Sequence, residues 1–385
     1  MALAMETEEE MIELGNLSNY IVESIFSKIP LKSLTQLKTV SKTWRNSITN
    51  IRHCYPRTTS SGLVLFLKHR DFQESIFMKL HDQKGSSCMG SSEKFCTFGS
   101  SYRHKFSYLI DSCNGVLLYG SHDNEFWTYS ISVLDQVVTL PVSHNVIRPA
   151  CSSLVFDGWH DDKFQIMCFF WEEVDVDSQL MNCMMFSSNL WSWREDKLRI
   201  MNSELLLLDG FSRGQCCNTS VFVMQKLYWI WSLCLLVYDI DEEYFTLFPL
   251  PNNSSRKSRK GVYSQMLWES SEGLVQFCDP VNNGFFIWSF NGGDFKLDHY
   301  VRLEDLRLTK MGYSVKPCAF NKDLEVLYLH VLPHTIVSYS FETRELVQVW
   351  SYIGEEEEDC WIFKILPFLF SSVDLLAFNK LRQVD

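Results

Sequence analysis

The sequence lacks the short patterns that carry most enzyme chemistry. It has no glycine-rich phosphate-cradling loop and no zinc-protease helix motif. Its 13 cysteines include no Cys-x-x-Cys pair, and the one adjacent pair, Cys216 and Cys217, cannot form a tetrahedral metal site by itself. The cysteines are therefore expected to be free core thiols in a reducing compartment. Basic residues are also scarce: 35 Lys and Arg stand against 47 Asp and Glu, for a formal charge of −12. That balance argues against a general nucleic-acid binder, which needs a basic surface to neutralise phosphate. Long apolar runs are missing too. The longest, Leu227 to Tyr238, contains Ser232 and is too short to span a bilayer as a helix, so it is expected to form buried strands and no membrane partner is expected. Met1 to Glu10 ends in an acidic cluster of Glu6, Glu8, Glu9 and Glu10 rather than a basic region with an apolar core, so secretion is not expected either. The sequons at Asn218 and Asn253 then carry no glycan, and the cytoplasm, the nucleus or both are the expected locations.

What is present is hydrophobic and aromatic. At 385 residues, with 46% hydrophobic, 14% aromatic and 12 Trp, the chain can bury a substantial core and is long enough for two unequal domains. Abundant aromatics favour short strands whose pleated faces accept flat side chains.

Helical periodicity is convincing only near the N-terminus. Ile21, Ile25 and Ile29 recur every four residues, and Pro30 ends that helix by pushing residue 29 out of the α region. A second series, Leu34, Leu37, Val40, Trp44 and Ile48, follows Ser33 as an N-cap, and Ser41 is placed to cap a third helix. Helices this short cannot complete a core alone and need a partner surface.

The segment Leu17-Ser-Asn-Tyr-Ile-Val-Glu-Ser-Ile-Phe-Ser-Lys-Ile-Pro-Leu-Lys-Ser-Leu, with Leu37-Lys-Thr-Val-Ser-Lys-Thr-Trp-Arg, resembles an F-box, especially that of plant F-box proteins. The resemblance implies a module that binds a Skp-type adaptor and through it a cullin, a RING subunit and a ubiquitin-charged conjugating enzyme. By position, Leu17 and Ile21 match the opening adaptor contacts, Pro30, Leu31 and Leu34 the central turn, and Val40, Ser41, Lys42, Trp44 and Arg45 the closing motif. Ser18 and Asn19 depart from the family, which has Pro and an acidic residue there. Without the motif, the same helices read as a hairpin packed on the chain's own β domain.

From Ser61 the period changes to that of strands. Leu63-Val-Leu-Phe-Leu, Val116-Leu-Leu-Tyr, Phe164-Gln-Ile-Met-Cys-Phe-Phe and Val221-Phe-Val are short apolar or alternating runs bounded by turn residues. A weak repeat of aromatic strand, polar turn and strand is marked by Phe186, Tyr238, Trp288 and Tyr339, at intervals of 52, 50 and 51 residues. That interval is near the kelch blade period and predicts a propeller of about five or six blades. Ser112-Cys-Asn-Gly-Val-Leu-Leu, Leu154-Val-Phe-Asp, Tyr238-Asp-Ile-Asp-Glu-Glu and Ile336-Val-Ser-Tyr resemble phrases of the F-box-associated domain, although the Gly-Gly doublet of kelch repeats occurs once, at Gly292-Gly293. The expected organisation is an acidic N-terminus over 1–16, a small all-α F-box module over 17–50, a linker over 51–62, and an all-β, kelch-type, propeller-like domain over 63–385.

The remaining candidates are weaker. His330 and His334 flank Pro333, which prevents one helical face from aiming both at a metal. Asp157, His160, Asp161 and Asp162 read as a turn, and Glu172, Glu173, Asp175 and Asp177 as a solvated loop. The basic run Arg256-Lys-Ser-Arg-Lys260 and the acidic run Glu355 to Asp359 read as exposed loops, the first also fitting nuclear import or an acidic partner. Trp127, Trp159, Trp191 and Trp268 lie in or near predicted turns, as exposed anchors or as rings packed under loops. Neither catalytic residues nor a cofactor follow from this pattern. The expected function is that of a substrate receptor in an SCF-type ubiquitin ligase. Its rivals are a stand-alone propeller that binds protein or carbohydrate and, behind it, a propeller enzyme.

Overall fold

Alternating side chains dominate the chain from Gly62 onward, and in the computed structural model most of the described residues of that region are strand. The structure describes Trp44 and, apart from several connecting segments, residues 62–368; the largest stretches outside it are 1–43, 45–61, 80–106, 208–215, 252–264, 307–314, 352–359 and 369–385. The chain divides into two compact units, Met1–Thr58 with Trp159–Asp161, and Thr59–Gly158 with Asp162–Asp385. In the first unit only Trp44 is described, helical and half-buried, so the predicted F-box helices lie outside the described residues.

The second unit is built from antiparallel meanders. Strands β1 (Gly62–His69) and β2 (Gln73–Lys79) come first. Sheet 1 contains β3 (Ser107–Cys113), β4 (Val116–Asp123), β5 (Phe126–Val133) and β6 (Gln136–Thr139). Sheet 2 contains β7 (Cys151–Val155), β8 (Gln165–Asp175), β9 (Leu180–Ser187) and β10 (Ser192–Met201). Sheet 3 contains β11 (Cys216–Val223), β12 (Lys226–Trp231), β13 (Cys234–Asp239) and β14 (Tyr244–Pro249). Sheets 2 and 3 are stitched into one eight-stranded sheet by a short parallel pairing of β10 with β14, Ile200 opposite Phe245 and Met201 opposite Thr246. Sheet 4 contains β15 (Met266–Glu269), β16 (Val275–Val281), β17 (Gly284–Phe290) and β18 (Phe295–Arg302). Sheet 5 contains β19 (Val315–Asn321), β20 (Val326–Val331), β21 (Thr335–Ser340) and β22 (Leu346–Ser351). The last strand, β23 (Cys360–Phe368), returns to pair with β1, giving a closing sheet in the order β2-β1-β23.

The first strands of sheets 1 to 5 and β23 each touch the next around a ring, β23 to β3, β3 to β7, β7 to β11, β11 to β15, β15 to β19 and β19 to β23. Side-chain burial follows the same cycle, because each strand sends alternate residues to opposite faces. In β12, Leu227, Trp229 and Trp231 pack toward sheet 2, whereas Tyr228 and Ile230 pack toward sheet 4. Six apolar clusters result, one between each pair of neighbours. The last two join sheet 5 to the closing sheet through Leu63, Leu65, Tyr328 and Ile336, and the closing sheet to sheet 1 through Val64, Phe66, Leu109 and Leu117. This is a β-propeller-like ring of six sheets. No sheet could stand alone, since each would expose two apolar faces. The four aromatic markers of the repeat, Phe186, Tyr238, Trp288 and Tyr339, all fall in the third strand of successive sheets.

The segment Leu227 to Tyr238 is a hairpin of buried strands, as its length required. One expectation fails. Glu172, Glu173 and Asp175 do not lie in a loop but belong to β8, which runs on through Asp175. The pairing with β9 shifts register between Phe169 and Val174, an irregularity that carries the strand past its apolar half into charged residues.

Candidate functional site

The ring has two unlike faces. Where the first strand of a sheet hands over to the second, two of the connections are two-residue turns: Asn114 and Gly115 between β3 and β4, Met224 and Gln225 between β11 and β12. All four of these residues have positive φ, at 46° and 84° in the first turn and 48° and 59° in the second. That geometry matches the twist of the strands and suits Asn-Gly far better than Met-Gln. The chain enters β1 at Gly62 and leaves β23 at Phe368, which are paired, on this same short-turn face. The first strands of sheets 1 to 5 begin at the opposite face and their fourth strands end there, whereas β2, paired at Lys79 with Gly62, ends at the short-turn face.

Near the ring axis a carboxylate ties four inner strands together. Asp111 on β3 is 5% exposed. Its Oδ2 accepts from the Leu154 N–H of β7 at 2.9 Å and from the Ser220 hydroxyl of β11 at 2.8 Å, and its Oδ1 accepts from the Ser112 N–H at 2.8 Å. Burial raises its pKa, and those donors together with the Lys364 ammonium of β23 oppose the rise. Lys364 Nζ also donates to the Ile110 carbonyl, and the Ser112 hydroxyl donates to the Pro367 carbonyl at 2.8 Å, so the closing strand is fastened to sheet 1 at two points. A carboxylate with both oxygens engaged by three donors holds strands in place.

A second buried carboxylate differs. Asp279 on β16 is 1% exposed. Its Oδ1 accepts from Gln265 Nε2 at 3.0 Å, while its Oδ2 has no hydrogen-bond partner among the described residues. Burial pushes its pKa up to about 6, against a small opposing effect of Gln265. Directly opposite Asp279 in the ladder is Phe286, and opposite Phe286 is Tyr300. The Phe286 and Tyr300 rings stack at 4.6 Å, and the Arg302 guanidinium lies 5.8 Å over Tyr300.

The structure sorts the sequence candidates as follows. Of the F-box positions, Leu17, Ile21, Pro30, Leu31, Leu34, Val40, Ser41, Lys42 and Arg45 lie outside the described residues, as do His334, Asp157, His160, Asp161, Asp162, Asp177, Trp159 and both charged runs. His330 is buried on β20, and no group of three metal-ligating side chains occurs among the described residues. Trp127 and Trp268 are buried rather than exposed anchors. Trp268 stacks on Phe320 at 4.9 Å and donates to Gln276 Oε1 at 2.7 Å, and Trp191 packs edge-on against Phe186. The seven cysteines whose side chains are described are in no disulfide. Burial pushes the Cys168 thiol up to about 12 and raises Cys183, Cys278 and Cys318 as well, so these thiols stay protonated and inert.

Sequence reasoning passed over three features. Asp111 and Asp279 sit among strand residues with no local signature, because their partners are distant in sequence or depend on register. Gly210-Phe-Ser-Arg-Gly214 has the spacing of a nucleophile elbow, which requires a strand-to-helix turn. Here the flanking elements are a 3-10 turn, Ser203–Leu207, and strand β11, and Ser212 lies outside the described residues. Among the described residues no helix is long and apolar enough to cross a membrane.

Residues 14–54 match the F-box domain family. No curated protein matches the chain. Solved structures give a diffuse likeness. The β-propeller domain of Cps50 (Swd1) from Myceliophteria thermophila shares 12% identity at a TM-score of 0.41, over 76% of this chain and 86% of that one. Sqt1 of Saccharomyces cerevisiae shares 10% identity at 0.41, over 77% and 72%. The extracellular domain of a one component system from B. thetaiotaomicron shares 10% at 0.35, covering 64% of this chain, and the chain spans only 28% of that protein's length.

Proposed function

We propose that this chain is the substrate-receptor subunit of an SCF-type ubiquitin ligase, with its F-box docking a Skp-type adaptor and its kelch-like β domain holding a target. The observation that carries this reading is the F-box match over residues 14–54, in a chain whose second unit is a β-propeller-like ring. The protein itself breaks no bonds. Its contribution is effective concentration: target lysines held beside a charged conjugating enzyme react as if intramolecularly.

The adaptor contacts in this reading are Leu17, Ile21, Pro30, Leu31, Leu34, Val40, Ser41, Lys42, Trp44 and Arg45, and cullin and RING subunits follow through the adaptor. The target is assigned to the face of the ring opposite Gly62 and Phe368, where the first strands of sheets 1 to 5 begin. Long loops on a rigid scaffold are where binding residues concentrate.

The test is co-purification of the full chain with a panel of Skp adaptors, beside a Pro30→Ala, Leu31→Ala double variant shown by circular dichroism to remain folded. Wild type is expected to retain an adaptor and the double variant to lose it by at least ten-fold. Retention of neither protein by any adaptor would sink the ligase reading.

A further inference from the structure

Asp279 is a buried carboxylate with one oxygen unused, and its setting says what the oxygen fits. It lies near the end of β16 next to the two-residue connection to β17, on the side of the ring opposite Gly62 and Phe368. Antiparallel partners that sit directly opposite share a face, so Asp279, Phe286 and Tyr300 form one row across sheet 4, on the side turned toward sheet 3. The row runs from a carboxylate that is 1% exposed to a Tyr ring that is 41% exposed. Its outer end already holds a cation over an aromatic face, the chain's own Arg302. No basic side chain forms an ion pair with Asp279 among the described residues, and its hydrogen-bonding amide, Gln265, engages only Oδ1.

We propose that this row is a side-chain site for a lysine of the bound target, its ammonium taken by Asp279 Oδ2 and its methylene stem laid along Phe286. This inference rests on the target-receptor reading above and names the chemistry of the target. Three observations select the ligand. A buried acceptor without a donor is an incomplete interaction that a cationic N–H completes. Only one oxygen is open, which suits a point-charge ammonium and denies a guanidinium its bidentate fork. Trp288, on the same face next along β17, has a buried Nε1 with no partner among the described residues. That indole needs an acceptor, which a bare cation lacks and a peptide carbonyl provides. The chain's net charge of −12 favours a basic partner in the same sense.

The experiment titrates the full chain with Nα-acetyl-lysine methylamide, using the arginine and norleucine analogues for comparison, and reads tryptophan fluorescence. Asp279→Asn is the informative variant, because an amide of the same shape keeps the Gln265 contact and removes the charge. The lysine analogue is expected to bind wild type saturably, and at least ten-fold more weakly to Asp279→Asn, with norleucine no better on wild type than lysine is on the variant. Equal binding of lysine to both proteins, no binding to either, or tighter binding of the arginine analogue overturns the proposal. Adaptor retention is scored on the same preparations. Lysine binding without adaptor binding would leave the site standing and remove the ligase; adaptor binding without selective lysine binding would do the reverse.

Discussion

Asp111 and Asp279 are two nearly fully buried carboxylates in one ring, and their surroundings differ in the way that separates a structural group from a binding group. Asp111 takes three donors and a nearby ammonium from four different inner strands. Asp279 takes one donor and faces an aromatic row with an oxygen to spare. Burial raises the pKa of both. Desolvation of a charge is costly in either place and outweighs the partners in both, but at Asp111 three hydrogen bonds and an opposite charge offset part of it and at Asp279 a single hydrogen bond does. A buried carboxylate with an unused oxygen is the kind of group that binding sites select.

The sharpest way to break the comparison is to delete the ring-axis carboxylate. Asp111→Ala strands the buried Leu154 N–H, takes the acceptor from the Ser220 hydroxyl and removes the charge facing Lys364, and is expected to cost about 3–5 kcal/mol in denaturant unfolding. Loss on that scale would consume much of a typical domain's stability. If Asp111→Ala unfolds at the wild-type midpoint, the carboxylate is not what fastens the closing strand.

Next in size is a change of sign. Asp279→Asn is expected to stabilise the ring at pH 8, by up to about 3 kcal/mol, the equivalent of moving a pKa from the ordinary 3.8 to about 6. A folded pKa above the unfolded one means that the ionised group destabilises the fold. The cost of Asp279 is therefore complete above about pH 6 and fades as the pH falls toward 3.8, where wild type and variant should converge. The same substitution at Asp111 is expected to destabilise by about 1–3 kcal/mol, because an amide nitrogen cannot accept from a donor it now faces. Equal signs at the two positions would remove the distinction.

Much of the ring was legible in the sequence. Runs such as Leu63 to Leu67 and Val116 to Tyr119 signal strands by composition alone, and the spacing of Phe186, Tyr238, Trp288 and Tyr339 reports the sheet repeat because each marker fills the same strand of its unit. Glu172 and Glu173 were misread because a charge pair after an apolar run looks like its end, whereas an irregular ladder allows the strand to continue. The two carboxylates were illegible for a deeper reason. Leu154 and Ser220 are 43 and 109 residues from Asp111, and only ring closure brings β23 beside it. Asp279 precedes Pro280, a pair that reads as turn chemistry until the pairing of Pro280 with Phe285 shows that it lies within a strand. Periodicity predicts which face a residue takes but not which distant strand supplies its partner.

A third carboxylate calibrates the other two. Asp239 ends β13 at the surface, where Lys226 Nζ donates to its Oδ2 at 2.6 Å and the N–H groups of Asp241 and Glu242 point to its Oδ1. Burial would raise its pKa, but Lys226 and the two N–H groups prevail and hold it below the ordinary value. Its contribution therefore has the opposite pH dependence to that of Asp279: present above pH 3.8 and lost as the pH falls through the lowered folded pKa. It is also small, because the Lys226 side chain is 41% exposed and water screens the pair. Lys226→Met is expected to cost less than about 1 kcal/mol at pH 7, and less again in 1 M salt, where exposed charges are screened within about 3 Å. If this exposed pair proved worth as much as the Asp111 contacts, burial would not be the variable that separates them, and the contrast between Asp111 and Asp279 would have to be sought in local geometry instead.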